Sequence, residues 1–112
     1  MDFTLPDEHR MIREEIVDQL ADLDVMGVPI SEEYGGLGGD TLMYAVVAEE
    51  LGRVSGSVAL SYVAHTSLAS KPLELFGTEE QKERWLTPLA SGEYLGGWAL
   101  TEPSSGSDAS DM

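Results

Sequence analysis

Apolar residues recur along most of this chain at helical spacing, and near Tyr94 they stop doing so. Ile12, Ile16, Leu20 and Leu23 fall on one face, at the three-to-four-residue period that a half-buried helix requires. Thr4 followed by Asp7 marks the start of that helix, with Pro6 tolerated in its first turn, and Gly27 marks its stop. Asp40 caps a second helix carrying Leu42, Ala45, Val46 and Leu51, and Gly52 with Ser55-Gly56 separates it from a third. The third helix is rich in small residues, which admit close neighbours and place it at the centre of a bundle. Pro72 to Phe76 reads as a short turn ended by Gly77. The Thr78/Gln81 capping box then opens a last helix whose Trp85, Leu86 and Leu89 face inward, closed by Gly92. The pattern predicts helices over 4–26, 40–54, 57–70 and 79–90, with Val28-Pro29-Ile30 extended.

From Tyr94 the character changes. Gly96-Gly97 breaks the chain, Trp98 to Thr101 reads as one strand, and Glu102-Pro103 turns it into a loop of small and hydroxyl-bearing residues ending at Asp108. Such a loop brings backbone N–H groups and hydroxyls close to a ligand, since nothing bulky intervenes. A lone strand leaves its own donors and acceptors unpaired. The expectation is therefore an all-α helical domain over 1–93, followed over 94–112 by the start of a second, β domain cut short.

Twenty-one acidic residues stand against six basic ones, a net charge of −15, which repels nucleic acid and anionic membrane surfaces. The acids are spread along the chain, as on a surface kept soluble at high salt. A halophilic source and an ordinary acidic cytosolic protein both suit that pattern. Cysteine is absent, which removes disulfides, thiolate nucleophiles and cysteine metal sites. The acidic N-terminus is no signal peptide and Val58–Ala69 is too short to span a bilayer, so the expected location is cytoplasmic.

Four segments occur in one order: Glu32-Glu33-Tyr34-Gly35-Gly36-Leu37-Gly38, Glu49-Glu50-Leu51-Gly52-Arg53, Phe76-Gly77-Thr78-Glu79-Glu80-Gln81-Lys82 and Leu100-Thr101-Glu102-Pro103-Ser104-Ser105-Gly106-Ser107-Asp108. Each is weak by itself, and together they resemble the acyl-CoA dehydrogenase family. The resemblance implies an α-helical N-terminal domain, a β middle domain and a C-terminal helical domain, with FAD held between domains of a homotetramer. It implies oxidation of an acyl-CoA to a trans-2-enoyl-CoA, as in fatty acid β-oxidation, with an electron-transferring flavoprotein as partner. Two departures stand out. The Met11-Ile12-Arg13 and Glu15-Ile16-Val17 segments run directly together, as if one helix and its loop were deleted, and the family's catalytic glutamate falls beyond Met112.

By the same resemblance Trp98, Leu100 and Thr101 would lie against the flavin ring, and Gly106 and Ser107 beside a phosphate-bearing portion of cofactor or substrate. Preorganised donors at the flavin's pyrimidine edge would stabilise the negative charge of its reduced form. Without the resemblance, the same segment reads as a solvent loop after an edge strand. Tyr62 and His65, on the small-residue helix where the family's acyl chain passes, are candidate pocket walls. A lone histidine is more commonly a packed, hydrogen-bonded one, and without a cysteine or second nearby histidine it is a poor metal ligand. His9 reads as a surface residue.

Gly35-Gly36-Leu37-Gly38-Gly39 lacks the lysine of a phosphate-binding loop and is read as a structural turn that packs Tyr34 and Leu37. Glu49 and Glu50 diverge on their helix, at least one being solvated near Arg53. Glu102 is the sole carboxylate within the cofactor motif and is not assigned as a base. The leading reading is the N-terminal part of an FAD-dependent acyl-CoA dehydrogenase. The rivals are a non-catalytic helical module or truncated inactive product, and an acyl-CoA-binding bundle, which would need more basic residues for the CoA phosphates.

Overall fold

Two prolines inside helical stretches shape this molecule. The computed structural model describes residues 7–111, and all the regular structure there is helical. Helix α1 (Asp7–Asp22) leads through a 3₁₀ turn at Val25–Gly27 and another at Glu32–Tyr34 to α2 (Thr41–Val54). Helix α3 (Gly56–Val63) continues without a break through a π-helical segment, Ala64–Ser70, into α4 (Lys71–Phe76). Helix α5 (Glu79–Gln81) likewise runs through a π segment, Lys82–Leu86, into α6 (Thr87–Ser91). Pro72 and Pro88 are the second residues of α4 and α6. A proline inside a helix lacks an N–H and crowds the carbonyl four residues back. Widening the preceding turn to i→i+5 bonding, as in Lys71 N–H to Thr66 O and Thr87 N–H to Lys82 O, relieves that crowding without ending the helix.

The third helix therefore runs from 56 to 76, and Pro72–Phe76, read as a turn, is its last part. The first helix stops at Asp22 rather than at Gly27, because Asp24 takes the left-handed conformation (φ 56°) that aspartate tolerates better than most residues. Leu23 is consequently 68% exposed instead of on the buried face. Val28 is helical in backbone and part of a turn, not extended. Trp85 is 43% exposed and packs on Tyr94 and under Arg84, so only Leu86 and Leu89 of the expected inward trio are buried. The Thr4 cap and the side chains of His9 and Ile12 lie outside the described residues.

Local capping follows the sequence closely. Asp40 Oδ1 accepts from Met43 N–H at 2.8 Å, the Thr78/Gln81 pair closes a reciprocal box, and Gly92 ends α6 with a positive φ. The core gathers Ile30, Tyr34, Leu86 and Ala90, with Leu73 against it. Full burial of side chains such as Ile30 and Leu86 stabilises by roughly 1.5–3 kcal/mol each. The loop that delivers Ile30 and Tyr34 is pinned to α4: Lys71 Nζ donates to Pro29 O at 2.9 Å, and Glu74 accepts from Ser31 N–H at 2.8 Å. Glycine is required at Gly36, where a Cβ would lie 2.1 Å from the Ile30 carbonyl oxygen.

Among the described residues no strand forms. Residues 96–103 have neither helix nor ladder, so the strand expected at Trp98–Thr101 is absent, as suits a single extended segment with no neighbour to pair with among the described residues.

Candidate functional site

The centre of the third helix is polar and closed. His65, Thr66 and Ser70 are all fully buried, and Tyr62 is 1% exposed. Ser70 Oγ donates to His65 O at 3.0 Å, a five-residue reach that the π geometry makes short. Tyr44, from α2, stacks at a tilt on Tyr62 (centroids 5.5 Å apart), and its hydroxyl shares a 2.6 Å hydrogen bond with Ser67. The hydroxyls of Tyr62 and Thr66 are buried without a hydrogen bond among the described residues. Burial, with Tyr44 adding to it, pushes the Tyr62 hydroxyl up to about 12, so it is neutral throughout the ordinary pH range. Thr66 lies near enough to pull slightly against that shift, but the pair lacks hydrogen-bond geometry.

Tyr62 also forms part of an apolar cavity of about 210 Å³ between α1 and α3, walled by Leu20, Met26, Val58 and Leu95 among others. His65 is not part of that wall. Its Nε2 lies 3.1 Å from the Leu89 carbonyl, and its Nδ1 accepts from Gly96 N–H at 3.0 Å. A carbonyl can only accept and an amide N–H can only donate, so the ring is the neutral tautomer with its proton on Nε2. Burial holds its pKa below the ordinary histidine range, against a smaller opposing effect of the Leu89 bond. This is the packed histidine of the blander reading, with an added role at the root of the 96–108 segment.

That segment holds the remaining sequence candidates. Trp98 is 54% exposed, and Leu100, Thr101 and Ser107 are also exposed. Glu102 and Ser105 exchange backbone hydrogen bonds (2.8 and 3.2 Å) around Pro103, and the Ser105 hydroxyl donates to the Asp108 carbonyl. This turn folds Gly106 back beside Thr101, whose methyl would lie 3.8 Å from a Cβ at Gly106. The structure thus joins Thr101 to Gly106 and His65 to Gly96. Among the described residues no hydrogen bond or ring contact links Tyr62 or His65 to Trp98, Leu100 or Ser107. Sequence reasoning missed Leu95 as a cavity wall and Ser105 as the clamp of the loop. The first carries no local signal. The second, a serine two residues after Pro103, is a turn signal that was legible.

The two glycine-rich loops differ in their free donors. In the 35–39 loop the N–H groups of Gly35, Gly36, Leu37, Gly38 and Gly39 all donate to carbonyls between Gly27 and Glu32. None is available to an anion, which supports a structural turn, although it buries only Tyr34 and leaves Leu37 45% exposed instead of packed. In the second loop the N–H groups of Gly106 and Ser107 donate to no acceptor among the described residues, nor do those of Trp98 to Thr101. Uncommitted donors beside small side chains are what a bound anion or polar ring edge uses. No group of three or more potential metal ligands occurs among the described residues, and no helix there is long and apolar enough to cross a membrane.

Comparison with known proteins places these features in a family. Residues 4–93 match the acyl-CoA dehydrogenase N-terminal domain. A probable acyl-CoA dehydrogenase of Bacillus subtilis is 47% identical, over 97% of this chain and 35% of its own length. That alignment runs over 134 positions against the 112 residues here, so at least 22 of its positions have no counterpart in this chain. The structure of butyryl-CoA dehydrogenase from Megasphaera elsdenii superposes with a TM-score of 0.79 at 36% identity, over 98% of this chain and 36% of that one. An acyl-CoA dehydrogenase from Bacillus anthracis, solved in complex with FAD, superposes at 0.76 with 35% identity, over 96% of this chain and 23% of that one. The chain therefore spans about a third or less of the length of these relatives. By its sequence and its helical fold alike, the chain belongs to the acyl-CoA dehydrogenase family.

Proposed function

We propose that this chain furnishes the N-terminal helical domain and one flavin-facing edge of an FAD-dependent acyl-CoA dehydrogenase. The observation that carries the reading is the set of uncommitted backbone donors at Trp98–Thr101 and at Gly106–Ser107, in a chain whose other glycine-rich loop is fully bonded. The residues fit the group: Trp98 and Leu100 offer apolar surface to a flat ring, Thr101 a hydroxyl, and Gly106 and Ser107 free N–H groups to an anionic portion. When bound, such a flavin would supply a hydride acceptor for the β hydrogen of an acyl-CoA whose α proton goes to a carboxylate. This chain's part is to bind and orient. Its donors stabilise charge on the ring edge, and the apolar cavity beside Tyr62 gives an acyl chain a dry wall. No residue between 7 and 111 is assigned as the base. Glu102 spends its backbone on the loop turn and its side chain is exposed.

The reading extends to a cytoplasmic homotetramer reoxidised by an electron-transferring flavoprotein, and to a first-helix region shortened relative to the family. The 22 or more unmatched positions support that shortening, and they equally favour the second reading, a helical module that keeps the fold without the chemistry. The test is a chimera in which residues 1–112 replace the matching part of the Megasphaera elsdenii butyryl-CoA dehydrogenase. It should retain FAD and bleach with butyryl-CoA. Thr101→Val, which keeps shape and removes one hydroxyl, should weaken flavin binding or slow reduction by about tenfold to a hundredfold. The 112-residue chain alone should neither hold FAD tightly nor oxidise acyl-CoA. A folded chimera that purifies without flavin and cannot be reconstituted would favour the non-catalytic module.

A further inference from the structure

We infer that His65 is a positioning residue that sets where the 96–101 segment leaves the helices, by donating from Nε2 to Leu89 O and accepting at Nδ1 from Gly96 N–H. Its consequence for catalysis rests on the flavin-edge reading above, since that segment carries Trp98, Leu100 and Thr101. The two bonds, 3.1 and 3.0 Å, tie three parts of the chain together: the π segment, helix α6 and the first residue of the departing segment.

The joint is built tightly enough to make the ring's hydrogen bonds specific. Gly96 is pressed against the third helix so closely that a Cβ there would sit 2.5 Å from Ala69 Cβ and 3.0 Å from Leu89 Cδ2. At that distance Gly96 N–H has Nδ1 as its acceptor. The π turn holds the backbone from which the ring projects, since the His65 carbonyl accepts from Ser70 Oγ. Beyond Gly96, the described backbone from Trp98 to Thr101 makes no hydrogen bond of its own. The last fixed point before the proposed flavin edge is therefore this histidine. A side chain that only filled space would be indifferent to which nitrogen carries the proton. Here one tautomer alone satisfies both neighbours.

The experiment uses the 112-residue chain without flavin. Nitrogen-15 spectra of the imidazole should show His65 as the Nε2–H tautomer at neutral pH, with a coupling across the bond to the Gly96 amide. In His65→Phe, Gly96 amide exchange should accelerate by about tenfold, as expected for the loss of one half-buried hydrogen bond. Amides of α2 and α3 should keep their rates. An Nδ1–H tautomer in the wild-type chain, or Gly96 exchange in a folded His65→Phe within a factor of about two of wild type, would overturn the inference. Should His65→Phe fail to fold, the wild-type tautomer decides alone. Because no cofactor enters the measurement, loss of the flavin reading leaves this result standing, and the reverse holds equally.

Discussion

Replacing Tyr62 with phenylalanine should make this protein more stable, although Tyr62 is among its most buried side chains. The ring would remain, with its packing on Tyr44 and along the cavity wall. Only the hydroxyl would leave, and that hydroxyl is buried without a partner among the described residues. Burying a hydroxyl without compensation costs about 1–3 kcal/mol. Removing one oxygen leaves a small void that returns part of the gain, so a net stabilisation of about 0.5–1.5 kcal/mol is expected. With an unfolding entropy of roughly 2 cal/mol/K per residue, 1 kcal/mol in a chain this long moves Tm by about 4 °C, so the variant should melt about 2–6 °C higher. Thr66→Val tests the second orphan hydroxyl. One helical turn separates the two, so their effects couple and the double variant must be measured with the singles. Thermal melts by circular dichroism at neutral pH suffice, since the phenol stays protonated far above that range. A fall in Tm of a few degrees on Tyr62→Phe would refute the reasoning. It would mean that the hydroxyl is satisfied, by a water held in the core, and that Tyr62 belongs to a complete polar network.

Gly96→Ala should destabilise by about 1–3 kcal/mol, because its methyl would meet Ala69 on the third helix and Leu89 on α6. An unchanged denaturation midpoint would show that the segment is not seated on the third helix. The Glu79 carboxyl is held below its ordinary range, first by the Tyr34 hydroxyl (2.6 Å) and then by Lys82. A depressed folded pKa stabilises above the unfolded value, and that contribution disappears as pH falls through the folded one. Tyr34→Phe should raise the Glu79 titration toward the ordinary value and flatten the acid limb of stability. A carboxyl carbon-13 titration that does not move would contradict this. Adding salt should raise Tm, since shortening the screening length from about 8 Å at physiological strength to about 3 Å at 1 M weakens repulsion within a net charge of −15. A salt series with a flat Tm would show that this repulsion does not matter to folding.

What the sequence made legible was local. The Asp40 cap and the Thr78/Gln81 box are contacts between a side chain and backbone within one turn, so residue type and spacing nearly suffice to place them. The centrality of the third helix was readable from its small residues for a related reason, because they leave room for neighbours whatever those are. Trp85 was misplaced because it lies inside a π segment, whose wider turn is not counted by a 3.6-residue period, while Leu86 and Leu89 keep the buried positions expected of them. The turn read at Pro72 failed on the same point. A proline ends an ordinary helix, but not one whose preceding turn has widened to receive it. Within the candidate site, Thr101, Gly106 and Ser107 were accessible as a motif. The pairing of His65 with Gly96 was not, since it links residues 31 apart through the packing of the third helix.

The widened turn between His65 and Ser70 has a consequence for how this chain can vary. A π turn holds one residue more than an α turn, so removing one there would let the segment close to i→i+4 bonding and leave α4 nearly in its present direction. Lys71 and Glu74 would still face Pro29 and Ser31, and the loop carrying Ile30 and Tyr34 into the core would keep its anchors. The cost would fall on Pro72 instead, whose ring would again crowd the carbonyl four residues back. The length of 64–70 and the proline at 72 therefore belong together, and a one-residue shortening should be tolerated best in company with the loss of that proline.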